Sequence, residues 1–151
     1  MGGPVMRNTI MTNPAFYYPP LPYTCNIPGG LAVHKNITMR GSIPKNANRF
    51  EISFMAGQDI ALYINPRIKP WTYVVRNSLL NDQWGTEERD LPFNPFQPGK
   101  CFELSIRCGN HTFQVYTNGR HLFNFTYRYV PIERIQTIKI IGDVTLSYIK
   151  Y

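Results

Sequence analysis

The chain has 151 residues and a formal net charge of +7, and 43% of its residues are hydrophobic and 14% aromatic. A chain of this length buries about two-thirds of its unfolded surface, which is enough for one domain with a complete core. Charged residues make up only 17%, which excludes wholesale disorder, and no apolar run approaches the ~20 residues that cross a bilayer. We expect one soluble domain without a transmembrane segment.

The first 30 residues contain six of the 13 prolines and no acidic residue. Such a stretch favours extended, polyproline-like backbone and excludes a helix. We therefore predict a Pro-rich tail or linker over residues 1–20 and a folded domain over residues 21–151. Aromatic side chains are expected to anchor the end of the tail, and Gly29-Gly30 marks a turn before the first regular strand. The anchoring candidates are Phe16, Tyr17, Tyr18 and Tyr23.

From Leu31 onward, apolar and polar residues alternate with a period of two, which is typical of half-buried strands. Asn118-Gly119 predicts a hairpin, because both residues tolerate the positive φ of a type I′ turn. Roughly ten short strands with one apolar face each must pair those faces, so we predict an all-β sandwich of two antiparallel sheets. The clearest strand segments are Arg49–Phe54, Ile60–Arg67, Cys101–Cys108, Ile135–Ile141 and Val144–Ile149.

The chain lacks the usual catalytic and metal-binding patterns. The three histidines and three cysteines form no Cys-x-x-Cys or His-x-x-x-His pair, and no nucleophile turn or Gly-rich phosphate loop occurs. We predict neither an enzyme nor a cofactor or metal. The basic residues are scattered and accompany no nucleic-acid motif, so we expect no nucleic-acid partner. Residues 1–13 lack a secretory signal, and the odd number of cysteines favours free thiols in a reducing compartment.

Several polar residues between positions 63 and 89 are predicted to project from one sheet face. Tyr63, Asn65 and Arg67 share parity on one strand, and Glu87 and Arg89 share parity on a later segment. Sugar hydroxyls need fixed donors and acceptors, which amides, guanidinium groups and carboxylates supply, and the apolar C–H patch of galactose packs on an indole. The alternative is that these charges form surface salt bridges and that Trp84 belongs to the core.

Three stretches in this region form motifs: Tyr63-Ile64-Asn65-Pro66-Arg67, Val75-Arg76-Asn77 and Trp84-Gly85-Thr86-Glu87-Glu88-Arg89. They resemble the galectin signature, which runs His-x-Asn-Pro-Arg, Val-x-Asn and Trp-Gly-x-Glu-x-Arg. The resemblance extends from about Leu21 to Tyr151, and the closing segments look most like a domain of a tandem-repeat galectin of the galectin-four kind.

The galectin resemblance implies a jelly-roll sandwich that binds β-galactosides without metal or cofactor. It assigns the galactose 4-hydroxyl to Asn65 and Arg67, the 6-hydroxyl to Asn77, and stacking on the sugar ring to Trp84. Glu87 and Arg89 would reach the 3-hydroxyl of the neighbouring sugar and orient Arg67. The partners implied are galactose-containing glycans of glycoproteins or glycolipids, with a homodimer or a second linked galectin domain for cross-linking. The family also implies cytoplasmic synthesis and export to the extracellular space without a leader.

Tyr63 departs from the signature, because it stands where the family has a histidine that contacts the axial 4-hydroxyl. A buried hydrogen-bonding site discriminates strongly when one partner is missing. Three outcomes stay open: Tyr63 fills the 4-hydroxyl space and abolishes lactose binding, swings aside, or bonds through its hydroxyl to a different sugar. The first outcome leads to an alternative function, a protein-interaction module on a galectin fold with a lost sugar site.

Two further features are open at this stage. Trp71 and Tyr73 either wall an extended binding groove or pack over the sandwich edge or against a partner chain. Three Asn-x-Thr sequons, at Asn36, Asn110 and Asn124, are expected to be unused without entry to the secretory pathway.

Overall fold

The computed structural model describes residues 14–151, and within this range twelve strands and one short helix form the protein. In chain order the strands are β1 (Ala15–Tyr17), β2 (Tyr23–Asn26), β3 (Asn36–Ser42), β4 (Phe50–Ala56), β5 (Asp59–Arg67), β6 (Tyr73–Leu80), β7 (Gln83–Trp84), β8 (Cys101–Cys108), β9 (Thr112–Thr117), β10 (Arg120–Thr126), β11 (Thr137–Gly142) and β12 (Thr145–Lys150). A 3₁₀ helix at Ile132–Arg134 connects β10 to β11. None of the described helical residues forms a segment long and apolar enough to cross a membrane.

The strands form two six-stranded sheets in which the hydrogen-bonded neighbours run antiparallel. The first sheet has the order β1-β12-β3-β8-β9-β10, and the second has the order β2-β11-β4-β5-β6-β7. The two sheets share one core, in which the rings of Phe50, Phe96 and Phe102 pack with centroids 5.3–5.9 Å apart. The prediction of an all-β sandwich of two antiparallel sheets is confirmed.

The alternation found in the sequence has the expected effect in the first sheet. Along β8, Phe102, Leu104 and Ile106 are buried, and the residues between them are exposed or half-buried. Cys101 is exposed whereas Cys108 is buried, so the two thiols lie on opposite faces, and the cysteines are free. At the β9–β10 hairpin, Asn118 and Gly119 have φ values of 49° and 80°, as a type I′ turn requires.

The N-terminal region differs from the prediction in one respect. Two strands, β1 and β2, precede Gly29-Gly30, and β1 pairs with β12, so the packed part of the chain begins before residue 21. The aromatic anchoring explains this difference: the ring of Phe16 stacks on that of Tyr151 at 5.5 Å, and Tyr17 lies against Tyr148 at 5.3 Å. The rest of the predicted tail, residues 1–13, lies outside the described residues.

Candidate glycan-binding site

The outward face of the second sheet carries the polar side chains of β4, β5 and β6 next to one another. Tyr63 lies opposite Asn77, and Arg67 lies opposite Tyr73, while β7 continues the sheet beyond β6 and supplies Trp84. A pocket of about 430 Å³ opens on this face. Its lining combines aromatic, amide, guanidinium and carboxylate groups from Tyr63, Arg67, Val75, Asn77, Trp84, Gly85 and Glu87.

Trp84 is the exposed aromatic surface of this pocket. Its side chain is 51% exposed. The alternative interpretation of the sequence, which placed Trp84 in the core, is therefore wrong. The ring of Tyr63 packs against the indole with centroids 4.8 Å apart and planes tilted by 58°. Tyr63 therefore stands beside the surface on which a sugar ring would stack.

The hydroxyl of Tyr63 is held by two charged residues at the β4 end of the site. It donates to Glu51 Oε1 at 2.8 Å and accepts from Arg49 Nη2 at 3.2 Å. Arg49 also forms an ion pair with Glu51 at 3.1 Å. Burial of Tyr63, together with its hydrogen bond to the Glu51 carboxylate, raises the pKa of the phenol to about 12. The phenol is neutral at physiological pH, and its proton is committed to Glu51.

Asn65 is completely buried, although it lies on the outward face of the sheet. Its Nδ2 donates to the carbonyl of Phe50 at 2.8 Å, and its Oδ1 accepts from Arg67 Nε at 3.0 Å and from Arg49 Nη2 at 3.5 Å. The side chain is absent from the pocket lining. Asn65 therefore supports Arg67 but presents no group to the pocket.

Tyr73 lies between the two arginines that the sequence assigned to the site. Arg67 Nη1 donates to its hydroxyl at 2.6 Å, and the Arg89 guanidinium lies 4.5 Å above its ring. Arg89 also forms an ion pair with Glu87. The partners that orient Arg67 are thus Asn65 and Tyr73, and Arg89 reaches Arg67 only through Tyr73.

The residues that orient Asn77 include Arg128, which follows β10 at the edge of the first sheet. The Oδ1 of Asn77 accepts from Arg128 Nη1 at 2.8 Å and from the backbone N–H of Ser78 at 2.8 Å. Since both contacts are donors, the amide nitrogen faces the other way and donates to the carbonyl of Gly85 at 2.9 Å. Arg128 also binds the carbonyl of Thr86 and pairs with Glu88. Arg128 therefore ties β6 to the segment that follows Trp84.

All seven residues selected from the sequence lie in or directly beside this face. Sequence reasoning missed the roles of Arg49, Glu51 and Arg128. The first two lie on the polar face of the predicted Arg49–Phe54 strand, so the alternation pointed to their orientation but not to their neighbours. Arg128 follows β10, 51 positions beyond Asn77, and no local pattern marks it.

The other features left open by the sequence have the following positions. Trp71, in the β5–β6 connection, is 74% exposed and does not pack over the edge of the sandwich, whereas Tyr73 is half-buried between the two arginines. The three sequon asparagines, Asn36, Asn110 and Asn124, are exposed.

Comparisons with known proteins agree with this fold. A family model described as galactoside-binding lectin matches residues 22–151. The chain is 49% identical to Homo sapiens galectin-4 over 142 residues, covering 93% of this chain and 44% of the relative. It is 48% identical to Mus musculus galectin-6 over 141 residues, covering 92% of this chain and 46% of the relative.

Two solved structures give the same result at the level of the fold. The galectin LEC-6 of Caenorhabditis elegans superposes with a TM-score of 0.82 at 26% identity, covering 90% of this chain and 94% of that one. A variant of human galectin-16 superposes with a TM-score of 0.77 at 25% identity, covering 89% and 96%.

The chain belongs to the galactoside-binding lectins, the galectins. Its similarity to galectin-4 and galectin-6 confirms the predicted resemblance to a tandem-repeat galectin domain. The family is one of carbohydrate-binding lectins and not of enzymes, so the prediction that this protein is not an enzyme is confirmed. The chain spans about 44% of the length of the galectin-4 relatives that it matches.

Proposed function

We propose that this domain binds β-galactoside-type glycans in the pocket beside Trp84. The observation that carries the proposal is the combination of a half-exposed indole with fixed donors and an acceptor in one pocket. The apolar face of a sugar ring stacks on Trp84, Asn77 and Arg67 donate to hydroxyls, and the Glu87 carboxylate accepts from them. Arg89 fixes Glu87, and Asn65 fixes Arg67 from below.

Tyr63 weakens or alters the specificity of this site in the same proposal. Its hydroxyl already has a donor and an acceptor in Arg49 and Glu51, so it has little hydrogen-bonding capacity left for a sugar. Its ring also lies against the indole, where the sugar needs space. A galactoside consequently loses part of the polar recognition that the signature histidine supplies in the family.

The experiment that tests the proposal is a lactose titration of the purified domain followed by tryptophan fluorescence, with sucrose as the control. A saturable change with lactose alone supports a galactoside site built around Trp84. Saturation by neither sugar, followed by failure to bind across a broad glycan array, would reject glycan binding.

A second candidate is a protein-interaction module on the same fold, with the sugar site lost. The complete burial of Asn65 favours it, because the amide that the signature assigns to the 4-hydroxyl offers nothing to a ligand. A chain that binds no immobilised glycan but retains a stable protein partner in pull-downs would support this candidate over the first.

Cross-linking of glycans requires more than one site, so we include a homodimer or a second linked galectin domain in the proposal. The partners are galactose-containing glycans of glycoproteins or glycolipids. The proposal also includes cytoplasmic synthesis with leaderless export to the extracellular space. Sedimentation of the purified chain, with and without lactose, tests whether it dimerises by itself.

A further inference from the structure

We propose that Glu51 is a specificity-determining residue of the glycan site: by holding the Tyr63 hydroxyl in the hydrogen-bond network that also encloses Asn65, it removes the preference for an axial over an equatorial 4-hydroxyl. This inference rests on the proposed glycan-binding function and names the ligands more closely. They are β-linked hexopyranosides that stack on Trp84 in either configuration at carbon 4.

The position of Tyr63 in the sheet determines which residues its hydroxyl reaches. In the ladder between β4 and β5, Tyr63 lies directly opposite Ser53, and Glu51 is the diagonal neighbour two residues away. Diagonal positions are about 7–8 Å apart, within reach of an aromatic side chain. The bond from Tyr63 to Glu51 therefore requires the phenol to lean along the sheet toward β4.

Asn65, two positions beyond Tyr63 on β5, is enclosed in this arrangement and has no exposed surface. Arg49 Nη2 links the two residues, because it donates both to the Tyr63 hydroxyl and to Asn65 Oδ1. The carbonyl and amide groups of Asn65 are bound to Arg67, Arg49 and the backbone of Phe50. The Tyr63 hydroxyl is itself committed to Glu51 and Arg49. Of Tyr63, Asn65 and Arg67, only Arg67 still has free N–H groups for a hydrogen bond to a sugar hydroxyl.

A site tells two epimers apart when a fixed partner meets the hydroxyl of one and is left unpaired by the other. An enclosed Asn65 and a saturated Tyr63 supply no such partner. Arg67 keeps free N–H groups on both Nη atoms, and donors spread over that fork meet a 4-hydroxyl of either configuration. Stacking on the indole depends on the apolar face of the ring. The protein as folded therefore binds both epimers with similar affinity.

Lactose and cellobiose test this inference, because they differ only in the configuration of the 4-hydroxyl on the non-reducing ring. We expect the two Kd values to lie within about threefold of each other in the unmodified protein and at least about tenfold apart, in favour of lactose, in Glu51→Ala. Tyr63→Phe, which removes both bonds to the phenol, should change the ratio in the same direction. Glu51→Gln keeps an acceptor for the phenol and should retain the ratio of the unmodified protein.

The matched control is Glu103→Ala, which removes a carboxylate paired with Arg40 at 2.7 Å on the first sheet; the ratio should not change. A second measurement needs no sugar. The pKa of Tyr63, followed by NMR of ring-labelled tyrosine, should fall from about 12 in Glu51→Ala, because the acceptor and its negative charge both raise it. It should stay unchanged in Glu103→Ala.

A preference of tenfold or more for lactose in the unmodified protein would overturn the inference, as would an unchanged ratio in Glu51→Ala. Either result leaves the proposed glycan binding intact. If the unmodified protein, Glu51→Ala and Tyr63→His are all folded and bind neither sugar, the proposed function fails together with the inference.

Discussion

The outward faces of the two sheets differ in how deeply their side chains are buried. Along β8 and β9 of the first sheet, buried residues alternate with half-buried or exposed ones, as expected for a sheet with one face in water. Along β5 and β6 of the second sheet, five or six consecutive residues are buried. These strands are covered on both faces, although their outward residues are mostly polar.

Buried amides on the outward face of the second sheet are enclosed by hydrogen-bond partners. Arg49 and Arg67 bind Asn65, and Arg128 binds Asn77. On the outward face of the first sheet, Arg40 stacks on Tyr148 and pairs with Glu103, but the ion pair is exposed. Buried polar groups cost free energy unless they are paired, so the two faces differ in how much paired polar surface they enclose.

The largest difference between the two faces is expected for Trp84→Ala, in the affinity for galactosides. Loss of the indole should reduce galactoside binding below detection, a loss of about 2 kcal/mol or more, while the fold survives because the side chain is half exposed. Calorimetric titration with lactose measures the change. Tyr17→Ala, at an aromatic residue 72% exposed on the first sheet, is the control and should bind normally. Retained binding in Trp84→Ala would reject the site.

A second variant, Asn65→Ala, addresses stability. It leaves the Phe50 carbonyl and Arg67 Nε without this partner, so we expect the free energy of unfolding to fall by about 1–3 kcal/mol. Asn36→Ala, at an exposed asparagine on β3, should stay within about 0.5 kcal/mol of the unmodified protein. Urea denaturation compares them, and equal costs would mean that the two outward faces contribute alike.

Tyr63→His should strengthen lactose binding, by about tenfold if one net hydrogen bond is restored. The shorter imidazole gives up the bond to Glu51 and frees space beside the indole. Tyr148→His on the first sheet serves as the control, and fluorescence titration is the measurement. An unchanged affinity would mean either that Tyr63 already performs the role of the imidazole or that the site is damaged elsewhere.

The smallest expected effect is that of Glu103→Ala on the first sheet. An exposed ion pair contributes little to stability, and that contribution falls further at high salt because the pair is screened. Thermal unfolding at low and high salt measures it. A large cost that salt does not reduce would show that the outward face of the first sheet is also a structured network.

The sequence predicted the type of fold and the residues of the candidate site, but not the contacts between those residues. Alternation with a period of two fixed which side chains of β4 and β5 face outward, and Asn118-Gly119 located one hairpin. Neither pattern specifies which strand neighbours which, so the approach of Glu51 to Tyr63 was out of reach. The enclosure of Asn65 by Arg49 and by the Phe50 carbonyl depends on β4 being the neighbour of β5. The early strand β1 was missed because three residues beside prolines carry too little alternation, and its pairing depends on contacts with β12.

The bonds of Arg128 have a consequence for engineering this fold. The three signature motifs lie within residues 63–89, and a designer who wished to move the binding site to another β-sandwich would transplant that segment. A transplanted segment would keep the bonds of Asn77 to Ser78 and Gly85. It would lose the Arg128 guanidinium, which binds Asn77, Thr86 and Glu88 from beyond β10 and ties β6 to the segment after Trp84. The smallest transferable unit of the proposed site is therefore discontinuous in sequence, and includes the connection that follows β10.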